Sequence, residues 1–315
     1  VSASTAPPEE AVQLKASTGV VARGPWQLAW RRLRKDKVAL ISGAILLLII
    51  LVAIFAPLLN DMIGQSPNFQ DPNGTDANGL PIGPSGAHWF GTDALGRDVL
   101  GRMISGSQVS LGIGLLSTAL AVVIGVVLGL LAGYLGGIVD TVIARILDVV
   151  LAMPFVLTAV ALVAIFGQSL TIIVLVLAFF SWATMARIIR GQVLSLRERE
   201  FVEAARSLGA STYRIMFVEL LPNLVMPILI YFSLLVPVNI VSEATLAYLG
   251  LGLPVPAADW GGMISDASDQ GLFYQAWWTA FFPGAILVLT TLVFNLLGDG
   301  IRDALDPRIE RLLQK

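Results

Sequence analysis

The chain is poor in the side chains that usually do covalent chemistry. It has no cysteine and one histidine, His88, which excludes thiol nucleophiles, thiolate metal sites and imidazole clusters. A phosphate-binding loop of the form G-x-x-x-x-G-K-[ST] needs a lysine, and Lys15, Lys35, Lys37 and Lys315 stand in no such context. What remains is carboxylates and arginines in three settings. The stretch EREFVEAARSLGASTYRIMFVELLP, residues 198–222, carries Glu198, Arg199, Glu200, Glu203, Arg206, Arg214 and Glu219. GTDALGRD, residues 91–98, carries Asp93, Arg97 and Asp98. Arg145, Asp148 and Glu243 stand in apolar surroundings, where an ionisable residue is a functional candidate by default. Ion pairing, hydrogen bonding and proton transfer are open to these groups; hydrolysis is not, since it needs a nucleophile with a base or a metal.

The elements that must position them are apolar. The sequence is 56% hydrophobic and 13% charged, with a mean hydropathy of +0.80, which marks an integral membrane protein. At about 20 residues per crossing, residues 38–59, 109–131, 138–166, 170–189, 224–249 and 277–297 supply six helical spans. Closed β-barrels would need short alternating strands instead. The N-terminus lacks signal-peptide order, because Pro7, Pro8, Glu9 and Glu10 precede any apolar run, and reads as a polar tail.

Lysine and arginine set the orientation. Arg23, Arg31, Arg32, Arg34, Lys35 and Lys37 flank the first span, six arginines fall in residues 187–214, and Arg302, Arg308, Arg311 and Lys315 end the chain; these segments belong in the cytoplasm. Residues 60–106 hold five aspartates against Arg97 and Arg102, and residues 250–276 hold Asp259, Asp266 and Asp269 with no base. Those loops belong outside. Trp89, Trp260, Trp277 and Trp278 then fall near the outer boundary and Trp26 and Trp30 near the inner one, as interfacial indoles or as bulky packing residues.

Burying the charges between Arg197 and Arg206 at a helix centre would cost on the order of 15 to 20 kcal/mol, so residues 198–222 are cytoplasmic. Phe201, Ala204, Ala205 and Leu208 recur at i, i+3, i+4 and i+7, which predicts a short helix with one apolar stripe. Gly209 suits a left-handed C-terminal cap, Ser211 or Thr212 can cap a second helix, and Pro222 interrupts that helix before the next span. The product is a helix-turn-helix elbow. The alternative is a helix lying on the lipid surface, and the alanine pair argues against it, because such helices favour large apolar residues.

On the outer side, Thr92 or Asp93 can cap the second span, but a cap does not account for Gly96, Arg97 and Asp98. Residues 66–86, rich in Pro, Asn, Gly and Asp, read as a long irregular loop with room for a docking role. Gly125, Gly129, Gly133 and Gly137 repeat every four residues as a ridge for close helix packing. Arg145 and Asp148, three residues apart, read as a local ion pair before a proton relay. Glu243, near the outer end of the fifth span, could face a polar path through the bilayer or accept hydrogen bonds that hold the outer ends of the helices together. Pro227 and Pro237 in the same span remove backbone donors and allow kinks.

Glu203-Ala204-Ala205, then Gly209, then Leu221-Pro222 resembles the cytoplasmic EAA motif of permease subunits of bacterial ATP-binding-cassette importers. FGTDALGRDVLGRMISGSQVSLGIGL (90–115), GYLGGIVDTVIARILDVVLAMP (133–154), EATLAYLGLGLPVPAADWGGM (243–263) and NLLGDGIRDALDPR (295–308) resemble the C-type permease of the dipeptide and oligopeptide subfamily. The resemblance covers roughly residues 26–308; Glu219 departs from the isoleucine that the broad motif favours. It implies an all-α type I importer permease with six transmembrane helices and both termini cytoplasmic. It divides the chain into a cytoplasmic tail 1–37, a first helix with external loop 38–106, a transporter core 107–298 containing the coupling loop 190–222, and a C-terminal tail 299–315.

The resemblance further implies a subunit of the bacterial inner membrane, without ATPase activity of its own, that moves di- or oligopeptides. Its partners would be a homologous permease in a heterodimer, two cytoplasmic ATPase subunits holding ATP and Mg, an external or periplasmic binding protein and the lipid bilayer; no cofactor resides in this chain and no nucleic acid is expected. Phe201, Glu203, Ala204, Ala205, Leu208, Gly209 and Pro222 would serve ATPase coupling. Gly91, Thr92, Asp93, Gly96, Arg97 and Asp98 would serve the outer gate or the binding-protein contact, and Glu243 the path. A helix of two to three turns buries only several hundred Å2, below the roughly 1,200–2,000 Å2 of a stable interface, so stable capture of the ATPase pair would need both permeases.

The competing class is an ion-coupled secondary transporter using Glu243 or Asp148. Such folds show repeated halves with helices broken at the midplane. No convincing internal repeat is visible here, and such a protein has no need of the 198–222 elbow.

Overall fold

The computed structural model describes residues 25–64 and 66–305. The N-terminal tail before residue 25, with Lys15 and Arg23, lies outside the described residues, as do Arg308, Arg311, Lys315 and the side chain of Trp26. The helices are α1 (Pro25–Leu33), α2 (Lys37–Ile54), α3 (Ala56–Ile63), α4 (Val99–Leu135), α5 (Gly137–Ala152), α6 (Phe155–Phe166), α7 (Leu170–Leu196), α8 (Glu200–Ser207), α9 (Thr212–Leu251), α10 (Trp260–Asp269) and α11 (Trp278–Leu305). Isolated β-bridges in the loop between α3 and α4 are the only extended pairings among the described residues.

Five helices are long and apolar enough to cross a membrane, and α5 with α6, bent by 91° at Met153–Pro154, makes a sixth span. Helix packing requires that sixth crossing. A Cβ on Gly125, Gly129 or Gly133 of α4 would lie 2.6, 2.7 and 2.7 Å from the Cβ of Met185, Ile189 and Val193 of α7. Both series rise together by four, so α4 and α7 run parallel, and the chain between them must return across the bilayer. The predicted glycine ridge therefore exists, with one correction: Gly137 has left the helix line with φ +55° and packs on nothing.

The termini of the described chain meet on one side. Gly300 of α11 packs on Ala39 of α2, and Gly43 sits beside Leu297, so those helices are antiparallel. Asp36 caps α2 by accepting from the Val38 and Ala39 N–H groups at 2.9 and 3.1 Å. At the far end Asn60 Nδ2 donates to Ser105 Oγ of α4 at 2.8 Å, which places the 66–98 loop on the opposite face from the termini.

Several boundaries differ from the sequence reading. The first apolar run breaks at Phe55, where Pro57 opens α3 in a helix-starting position. The second span starts ten residues early, at Val99, because Asp98 caps it by accepting from Gly101 N–H at 2.8 Å. Pro222 does not interrupt the elbow's second helix. A π-helical turn at Ile215–Leu220 shifts the hydrogen-bond register, with Leu221 N–H donating to Met216 O, and Pro222 falls in the opening positions of the next α-helical segment, where a proline N–H is not missed. α9 thus runs unbroken from the elbow to the outer face.

Asn239 of α9 links α7 and α4: Ser181 Oγ donates to its Oδ1 at 2.7 Å, and its Nδ2 donates to Thr118 Oγ1 at 2.8 Å. Around the inner half, Val126, Leu130, Met185, Ile189, Leu220 and Leu224 form an apolar core continuous with the elbow through Val202.

Candidate functional site

Three sites follow from the sequence reading, and the structure places them at opposite faces. On the inner face, α8 ends as foreseen. Leu208 is its C-cap, Gly209 turns left-handed at φ +77°, Ala210 N–H donates to Ala205 O and Gly209 N–H to Arg206 O, both at 3.0 Å, which is the Schellman closure. Ser211 caps α9, accepting from Arg214 N–H at 3.3 Å.

The apolar stripe of α8 divides in two. Val202, unmarked in the sequence reading, is completely buried and Ala205 packs against the same core, while Phe201, Ala204 and Leu208 face outward, Leu208 at 87% exposure. Val202 and Ala205, three apart and both followed by outward residues, were the signal for this inner face. The outward residues line an open cleft of about 600 Å3 with Gly209, Ser211, Arg214 and Glu219, and Ala205, half-buried between core and cleft, borders it as well. Glu203 lies on the exposed side of α8 and Pro222 on α9; neither lines the cleft.

On the outer face, the six residues picked from GTDALGRD come together in one knot with the long loop and α11. Asp93 is not a helix cap. Its Oδ1 accepts from Leu95 and Arg97 N–H at 2.9 and 3.0 Å, and its Oδ2 meets Arg97 Nε at 2.7 Å and Arg102 Nε at 3.4 Å. Arg97 also reaches Asp266 of α10 at 3.7 Å. Asp98 adds to its cap a contact with His88 Nδ1 at 2.9 Å, and His88 Nε2 meets Asp71 at 3.3 Å. The Asn73 backbone N–H first, and His88 second, hold the Asp71 carboxyl below its ordinary value. Burial pushes the Asp266 carboxyl up, against the pull of Arg102 and Arg97.

Thr92 Oγ1 donates to Gly74 O and its carbonyl accepts from Trp278 Nε1 at 3.0 Å, tying loop to α11. Gly91 is required there: φ is +75° and a Cβ would lie 2.5 Å from the Trp278 nitrogen. Thr92, Arg97 and Asp98 are thus buried inside the outer face, while Trp89 and Leu95 of the same segment stay exposed. The 66–86 loop is irregular, as expected, but pinned.

Glu243 is 1% exposed. It lies under α10, between Ser110 of α4 and Asp259, the residue that caps α10. Arg145 and Asp148 approach at 3.7 Å, but the closer partner of Asp148 is Arg187 of α7 at 2.9 Å. A stronger tie joins the same helices: Arg190 grips Asp140 with both Nε and Nη2. Sequence spacing could not pair residues 50 apart.

Residues 125–311 match the family model described as "Binding-protein-dependent transport system inner membrane component". Residues 24–79 match the "N-terminal TM domain of oligopeptide transport permease C". The glutathione transport system permease protein GsiD of Salmonella paratyphi A is 43% identical over 288 residues, 91% of this chain and 92% of that protein. The oligopeptide transport system permease protein OppC of Bacillus subtilis is 40% identical over 286 residues, 91% and 90% of the two chains. An inward-facing structure of the MetNI methionine ABC transporter superposes with a TM-score of 0.54 at 18% identity, over 65% of this chain and 96% of that one. That likeness concerns the fold.

Proposed function

The chain belongs to the binding-protein-dependent transport system inner membrane component family, permease subunits of ATP-binding-cassette importers, and on that premise we propose that it carries short peptides across the inner membrane as one half of a permease heterodimer. The two relatives named above are called a glutathione permease and an oligopeptide permease. Those cargoes share an amide backbone with free carboxylate and ammonium groups, so the cargo proposed for this chain is a di- or oligopeptide, glutathione included. The remaining partners would be two ATPase subunits, which hold ATP and Mg, and an external binding protein.

The observation that carries this reading is the elbow. Val202 anchors α8 into the core while Phe201, Ala204 and Leu208 stay outside on a cleft ended by Gly209. An apolar stripe turned away from its own core needs another protein to cover it. In this reading Phe201, Ala204, Leu208 and Gly209 meet the ATPase, Val202 and Ala205 hold the helix against the core, and Glu203 and Pro222 act through helix geometry.

Chemically, such a subunit makes and breaks no covalent bond. Closure of the ATPase pair moves α8, and α8 moves the spans anchored to it through Val202. The ion-coupled alternative through Glu243 or Asp148 finds no support: the family is one of ATP-binding-cassette importers, and Asp148 is paired with Arg187. The test is uptake of labelled dipeptide and of glutathione into vesicles holding the whole complex. Uptake should persist when ion gradients are collapsed and ATP remains, and unlabelled peptide should compete. Uptake that tracks the gradient and ignores ATP would sink the reading; ATP-driven uptake without peptide competition would sink the cargo alone.

A further inference from the structure

We propose that α10 is a hinged lid, lifted from and returned to a polar seat on α4 and α9 in each transport cycle; this rests on the permease reading above. The first turn of α10 is wedged between those two spans. Trp260 is wholly buried, its Nε1 donates to Met103 O at 3.2 Å and its backbone N–H to Ser110 Oγ at 3.3 Å. Gly106 lets the indole approach, since a Cβ there would sit 3.2 Å from Cδ1, and Gly261 lies so close to α9 that a Cβ would be 2.5 Å from Ala244 O.

The seat beneath this tight fit is polar. Among the described residues, four buried side-chain atoms have no protein partner, and the two that belong to ionisable side chains, Glu243 Oε2 and Arg102 Nη1, both lie under α10. Glu243 faces a second acid, Asp259, at the head of the lid. Arg102, 2% exposed, lines a cavity of about 20 Å3 with Met263, Asp266 and Ala267 of the lid. An interface that never opened would be better served by apolar groups in those places, because a buried charge without a full set of partners is destabilising. A seat that water reaches in every cycle is served by them, since water supplies the missing partners when the lid is up. Left-handed glycines, Gly250 at φ +77° and Gly271 at φ +66°, bracket the segment with open space where a Cβ would stand, and suit a hinge at each end, the Gly250 carbonyl held by Gln168 Nε2 at 2.8 Å.

The absence of native cysteine makes the test direct. Ser110→Cys in the seat and Ala267→Cys on the lid's inner face are each placed in the complete complex, in nanodiscs, with a membrane-impermeant maleimide as probe. Both sites should label slowly at rest and roughly tenfold faster during ATP turnover with the binding protein, as local opening demands. Ala121→Cys, buried among α4, α5 and α7, should stay slow throughout. Flat rates at both positions in a complex that still transports overturn the lid and leave the permease reading standing. Fast labelling at rest, or acceleration of Ala121→Cys in step with the other two, also overturns it. A parent complex without ATP-driven transport overturns the permease reading and the lid with it. The two reporters stand on different elements, so either one alone decides the matter if the other fails to assemble.

Discussion

Gly129 of α4 and Ile189 of α7 stand at the same level of two parallel helices, and a Cβ on the glycine would lie 2.7 Å from the isoleucine Cβ and 2.8 Å from Ala186 O. Backbone on one side leaves no room to adjust. Gly129→Ala should therefore destabilise the solubilised protein by about 1–3 kcal/mol. Gly112→Ala, on the same helix with nothing within 4 Å, should be neutral or slightly stabilising. Thermal unfolding in one detergent compares them; equal behaviour of the two would refute the close packing of α4 on α7.

Gly209 offers a different test, because it has φ +77° and no neighbour within 4 Å of a Cβ. The cost of substitution is all backbone, about 1–2 kcal/mol for a β-branched residue and less for asparagine. Gly209→Val should reduce transport and binding-protein-stimulated ATPase activity together while the protein still accumulates in the membrane, and Gly209→Asn should do so less. Normal transport by the valine variant at normal abundance would show that the elbow does not couple.

The Asp140–Arg190 pair predicts rescue. Neutralising either partner should lower the melting temperature of the assembled complex by freeing α5 from α7, and the exchanged pair, Asp140→Arg with Arg190→Asp, should recover part of the loss. Additive losses in the exchanged pair would mean that the two residues do not act on each other.

Acid should loosen the outer loop. Asp71 lies below its ordinary value of 3.8, chiefly through the Asn73 N–H and then through His88. A depressed carboxylate contributes stability that is full above its unfolded value and is lost as pH falls through the folded one. Amide protection across residues 66–98, taken relative to the intrinsic exchange rate at each pH, should fall below about pH 4. Asp71→Asn should already exchange fast at neutral pH and show little further acid effect; an unchanged acid profile in that variant would remove Asp71 from the clasp.

Much of this architecture was legible in the residues. The six crossings follow from apolar runs of helical length, and the elbow from one glycine and one serine in the right places. What escaped is what depends on contacts between distant segments. Val202 follows Phe201, so two apolar neighbours offer two candidate faces of the helix, and tertiary packing decides that Val202 faces inward. Pro222 reads as a breaker by local rule, yet the π-helical turn before it absorbs the missing donor. Thr92 and Asp93 read as candidates for the cap in the sequence, yet Asp98 takes it, because Arg97 and Arg102 hold Asp93 and the indole of Trp278 ties down Thr92.

α9 joins the inner elbow to the outer face as one piece. Up to Gly250, which leaves the helix at φ +77°, it amounts to about 57 Å of helix, with a π-helical turn at Ile215–Leu220 near its inner end. It behaves mechanically as a rod with compliant joints. A tilt of about 5° about its inner end carries the outer end some ~5 Å sideways, nearly one helical pitch. A displacement entering at Ser211 would thus be delivered at Ala244, against which Gly261 is packed, with no relay of side chains needed between the two faces of the membrane.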